Sequence, residues 1–122
     1  VRGGKHENTP LIRWFAFRFM HAPLLSLAAG YWFTDTTNGF RAFSSRFLKD
    51  ERVQPLRDIF NQYELHYYLT VRAPRLGFKV IEIPVERSYP SKKNVPTKIK
   101  GLRGYGLVIS NLLKTCCGYY NP

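Results

Sequence analysis

Acidic side chains are scarce in this 122-residue chain: eight Asp and Glu stand against 19 Lys and Arg, a formal net charge of +11. The shortage excludes a cationic partner and suits an anionic one, whether nucleic acid, an anionic membrane face or a phosphorylated ligand. Cysteine is as scarce. Cys116 and Cys117 are adjacent, which excludes an ordinary bridge between them. No CxxC and no Cys/His group at zinc spacing is present, so no metal site is expected. Reduced thiols favour a cytoplasmic location, with the chain lying peripherally on the membrane face. His6, His21 and His66 have neither metal spacing nor a serine partner and receive no role. A long uninterrupted apolar run is also missing. LIRWFAFRFMHAPLLSLAAGYWF (11–33) is long enough to span a bilayer, but Arg13, Arg18 and His21 interrupt it and Pro23 sits near its middle. Each arginine at mid-bilayer costs about 3 kcal/mol, so the stretch reads as a buried or interface-lying helix. No signal peptide is visible and the first residue is not Met, so the chain reads as a piece of something longer.

What is present supports one modest core. Apolar residues make up 44% of the chain and aromatic ones 16%, too many for a disordered tail. Thr9 followed by Pro10 predicts a helix start, with the helix running to Ala29, stopping at Gly30 and bending near Pro23. FRAFSS (40–45) predicts a short strand burying Phe40 and Phe43, and SSRFLKDERV (44–53) a short helix with a serine cap. Residues 60–77 predict a second helix, with Leu65, Tyr68, Leu69 and Arg72 at helical spacing and Gly77 as a left-handed cap. FKVIEIPVERSYP (78–90) predicts a strand with Ile81, Ile83 and Val85 on one face and Val80, Glu82 and Glu86 on the other. Pro84 would put it at an edge. A basic loop and a closing apolar helix (102–117) follow. The expected fold class is α+β, mostly helices with one or two short strands. That is too few strands for a sheet of its own.

Three places carry candidate chemistry. In DTTNGFR (35–41), Asp35 and Arg41 flank an Asn-Gly pair. One reading is turn chemistry, with positive φ at Asn38-Gly39 and Asp35 capping its own backbone. The other puts Asp35 and Arg41 at the rim of a pocket, where Arg41 offers a planar charged fork to phosphate. Next, Arg87, Lys92, Lys93, Lys98, Lys100 and Arg103 form a run with no acid between them. It is a solvated loop, a diphosphate clamp, or a contact to anionic lipid at about 1 kcal/mol per basic residue. Aromatic residues are not interleaved with it as stacking platforms, which argues against nucleic acid. Finally, Glu64 is either helix-end chemistry or a general base.

The order of RGG (2–4), an Arg-bearing helix, DTTNGFRAFS, YELHYYLTVRAPRLGFKVIEIPVERSYP and PTKIKG resembles the C-terminal half of the family 2 glycosyltransferases. It is most similar to the branch of dolichyl-phosphate mannose synthase and bacterial polysaccharide or polyprenyl-phosphate sugar transferases. The resemblance implies the acceptor-side portion, residues 1–122, of an inverting GT-A (Rossmann-like α/β) catalytic domain. The nucleotide-binding half, with its Asp-x-Asp motif and Mg²⁺ or Mn²⁺, would be absent, leaving this piece inactive alone. It implies a nucleotide-sugar donor, a polyprenyl-phosphate or glycan acceptor, and a product in surface polysaccharide or lipid-linked sugar synthesis. Arg41, Arg13 and Lys98 would meet the donor diphosphate. Of the two residues with a catalytic role, Asp35 would lie towards the metal and the acceptor, and Glu64 would fall near the base of members acting on a sugar hydroxyl. Members acting on a lipid phosphate need little base. Cations facing a departing diphosphate stabilise its growing charge. The rival expectation is a basic, non-enzymatic module for anionic membrane or nucleic acid. Apolar surface left bare would favour a homo-oligomer.

Overall fold

The computed structural model describes residues 6–7, 17–36, 38–88 and 101–122, and these are α-rich. A short π-helical turn, Phe17–His21, leads into α1, Ala22–Ala29. Proline lacks an N–H and crowds the carbonyl four residues back, so Pro23 falls where the wider π turn hands over to the α-helix. The π-to-α handover stands at the place where a bend was expected. The expected start at Thr9-Pro10 lies outside the described residues.

α1 ends as its sequence predicts. Gly30 adopts φ +66° while its N–H donates to Leu27 O and that of Tyr31 to Ser26 O, the paired closure of a left-handed helix end. α2 is one turn, Ser45–Leu48, with the Ser44 hydroxyl accepting from Phe47 N. α3 spans Glu64–Arg75 and carries Pro74 in its last turn. It stops at Gly77, φ +78°, with Gly77 N–H donating to Pro74 O and Phe78 N–H to Ala73 O. α4 spans Gly101–Cys116. Two two-residue strands, β1 (His6–Glu7) and β2 (Arg87–Ser88), pair in parallel.

The strand expectations need correction. Residues 40–44 and 78–86 have no regular secondary structure and join no ladder among the described residues. Phe40 is exposed, and only Phe43 packs inward, against Phe47. Alternation along 80–83 survives. Ile81 and Ile83 are 68% and 63% exposed, while Val80 and Glu82 turn inward.

α3 is the hub, because its sequence buries two sides. Tyr68 and Leu69 join Phe47, Val53 and Tyr120 in one cluster, which Phe43, Phe60 and Phe78 extend. Tyr67 joins Leu25 of α1 with Val108 and Leu112 of α4 in the other. Helical spacing had marked only the first side. Between the two clusters the polar face of α3 is left to meet residues 34–41.

Candidate functional site

The DTTNGFR segment is held from three directions. From 78–86, the Glu82 carboxylate accepts from Thr34 N (3.0 and 3.2 Å), Thr34 Oγ1 (2.9 Å) and Asp35 N (3.4 Å). From the π turn, His21 Nδ1 lies 2.7 Å from the Oγ1 of Thr36, which is fully buried. From within the segment, Arg41 reaches back and across. Its Nε donates to Asn38 O at 3.1 Å, Nη2 to Thr36 O at 2.6 Å, and Nη1 to Thr70 Oγ1 and to His66 O on α3. Thr70 in turn donates to His66 O at 2.7 Å. One guanidinium thus ties the two ends of the bend to α3.

The turn itself does not work as the sequence suggested. Gly39 is not at positive φ, and a Cβ there would meet open space. The bend is closed instead by Asn38, whose Oδ1 accepts from Phe40 N at 3.0 Å, an Asx turn. The backbone N–H of Asp35 is held by Glu82.

Asp35 and Arg41 line one cleft of about 620 Å³. Its wall is apolar, from Phe33, Phe43, Phe78, Val80, Ile81 and Ile83, and Arg46 and Lys79 stand on it as further cations. Burial, opposed by the nearby Asp35 carboxylate, lowers the pKa of Arg41, but a guanidinium keeps its proton in any protein setting. The charge pushes on its neighbours. His21 is drawn down to about 4, chiefly by burial and then by Arg41, with Asp35 opposing. His66 is lowered by burial and by Arg41. Tyr67, whose ring meets His21 edge-on at 4.9 Å, is raised by burial. No spacing in the sequence links His21 to His66. Contact with the same segment does.

Glu64 lies elsewhere. Its Oε1 accepts from Asn61 N (2.6 Å) and Gln62 N (2.7 Å), and Oε2 from Asn111 Nδ2 on α4 (3.2 Å). Asn111 Oδ1 then accepts from Tyr120 OH. Buried, and not lining the cleft, this carboxylate closes the start of α3 and joins it to α4. This is the geometry of the helix-end reading. Glu64→Ala is expected to lose about 2–4 kcal/mol of stability in urea unfolding, since two backbone N–H groups and an amide lose their acceptor. Any catalytic turnover per folded molecule should be unchanged. A fully folded Glu64→Gln protein with lost turnover would return Glu64 to the chemistry.

Arg13 and Lys98 lie outside the described residues. Among those described, no three His, Cys, Asp or Glu gather as a metal-holding group, and both Glu82 oxygens are taken by Thr34 and Asp35. Among the described residues, no helix is long and apolar enough to cross a membrane. No protein family, curated protein or solved structure was found to match this chain.

Proposed function

We propose that this chain forms the acceptor-side portion of an inverting glycosyltransferase that moves a sugar from a nucleotide-sugar to a lipid phosphate. One observation carries the reading. Glu82, in the segment that resembles the family's strand, grips Thr34 and Asp35 at the opening of the segment that resembles its arginine motif, and Asp35 and Arg41 share one cleft. Two stretches that resemble the family in sequence, more than forty residues apart, thereby make one surface.

The chemistry follows from that surface. A departing nucleoside diphosphate gains negative charge as the glycosidic bond breaks. A fixed guanidinium that needs no reorganisation stabilises that charge best. Arg41 is fixed by four acceptors besides any ligand. Attack from the face opposite the diphosphate inverts the anomeric carbon. An apolar wall with Arg46 and Lys79 beside it suits a prenyl chain with a phosphate head better than a glycan, whose hydroxyls would need polar partners. A phosphate oxygen is already an anion, so such an acceptor needs no base, in keeping with Glu64 closing a helix instead.

The test is transfer of labelled sugar from a panel of nucleotide-sugars to polyprenyl phosphate, read as label entering the organic phase, by the longest natural protein that carries this sequence. If that protein neither binds nor consumes any nucleotide-sugar, the reading fails, and a salt-dependent gel shift with RNA or DNA would then favour the basic-module alternative. Glu82→Gln refines the test. Its amide NH₂ turns a donor towards groups that themselves donate, so the Asp35 loop loosens. Turnover should fall about tenfold, roughly 1.4 kcal/mol, with little change in KM for the lipid.

A further inference from the structure

Neither apolar cluster accounts for Thr70. It stands inside α3, where a β-branched residue is a poor helix former, and it is buried all the same. Tyr68 and Leu69 beside it fill one cluster and Tyr67 the other, while Thr70 lines the cleft that Asp35 and Arg41 share. Its hydroxyl is fully committed. The proton goes to His66 O, one turn back, at 2.7 Å, a bond open to threonine within a helix. That bond also selects one of the two χ1 rotamers a helical threonine can take. With the proton engaged, the oxygen can meet a guanidinium only with a lone pair, and it accepts from Arg41 Nη1.

Where the acceptor sits matters more than how many there are. Arg41 also donates to Thr36 O and Asn38 O, but both carbonyls belong to the bend that carries Arg41. They fix the shape of the bend and not its place. Glu82 places the opposite end by holding Thr34 and Asp35. At the Arg41 end the contacts to another element are His66 O, at a long 3.5 Å, and the Thr70 hydroxyl. We infer that Thr70 is a positioning residue of the site: its back-bonded hydroxyl sets the Arg41 guanidinium against α3 and so aims it at the leaving diphosphate. What Arg41 meets there rests on the glycosyl-transfer reading, and how it is held rests on these hydrogen bonds alone.

The longest natural protein that carries this sequence is the one to test. Thr70→Val keeps the shape of the side chain and removes the acceptor. Its kcat should fall about fivefold, roughly 1 kcal/mol, with KM for the acceptor little changed and helical circular dichroism kept. Thr70→Ser, which retains the hydroxyl, should recover most of the rate. A cycle with Arg41→Ala separates positioning from packing. Once Arg41 is gone, Thr70→Val should lower transfer no further, whereas a packing role would lower it equally in both backgrounds. Nitrogen NMR with labelled arginine reads the same contact without turnover. The Nη signals that Arg41→Lys removes should be separate in the wild type, where the guanidinium is held against rotation. They should merge in Thr70→Val and stay separate in Thr70→Ser. Equal losses in the two backgrounds, or Nη signals that remain separate in a folded Thr70→Val protein, would overturn the inference. A protein that consumes no nucleotide-sugar would sink the glycosyl-transfer reading instead, and the nitrogen spectrum would still decide whether Thr70 holds Arg41.

Discussion

Replacing Arg41 with alanine is expected to cut sugar transfer at least tenfold, about 1.4 kcal/mol of transition-state stabilisation, and to destabilise the fold by about 3 kcal/mol. Both effects come from one side chain. The guanidinium that would face the diphosphate also satisfies the carbonyls of Thr36, Asn38 and His66 and the hydroxyl of Thr70. Removing it takes their donor from the Thr36 and Asn38 carbonyls, while Thr70 still donates to His66 O, and frees the bend to move. Arg41→Lys separates the roles. Lysine keeps the charge but cannot reach both ends of the bend and α3 at once, because its three donors spring from one atom. It should therefore recover transfer more fully than stability, the two being read as kcat/KM and as the urea midpoint. An unchanged kcat/KM in a folded Arg41→Ala protein would remove Arg41 from the site and leave it a structural tie.

The second large effect is acid lability below neutral pH. His21 is buried against Tyr67 and Thr36, and burial together with Arg41 holds its pKa down to about 4 against an ordinary 6.5, with Asp35 opposing. In the unfolded chain the imidazole takes its proton near pH 6.5, and in the folded protein only near 4. The unfolded state thus binds more protons between those values. Stability is complete above pH 6.5, falls as the pH drops towards 4, and levels off below it. The loss over that window is about 3 kcal/mol. His66, lowered by burial and by Arg41, pulls in the same direction. His21→Gln keeps a hydrogen-bonding group for Thr36 but does not titrate, so its urea midpoint should vary less between pH 7 and 4. An identical decline in that variant would assign the lability to other groups.

How much of this was legible in the chain depends on the range of the interaction. Helix ends are settled by a few neighbouring residues, so Gly30, Gly77 and the Ser44 hydroxyl were each readable from composition. The Asn38-Gly39 pair misled for the same local reason. Two closures of that bend were available, positive φ or an Asx turn, and the choice went to the one compatible with Arg41 bonding Thr36 O and Asn38 O. The two sides of α3 were half legible. Tyr68 and Leu69 follow the apolar period, whereas Tyr67 and Thr70 are buried because α1, α4 and the 34–41 segment cover them.

By itself the sequence determined an α-rich chain, the places where its helices stop, an acid-free basic C-terminal third, and the position of Asp35 and Arg41 on either side of one bend. Tertiary structure alone decided that Glu82 faces inward and Ile81 outward, that Glu64 closes a helix, and that His21 and His66 gather on Arg41. The physical reason is that alternation tells which side chains share a face, never which face is covered. Here the bonds from Thr34 and Asp35 to the Glu82 carboxylate hold that face inward, and groups some fifty residues away have no local signature.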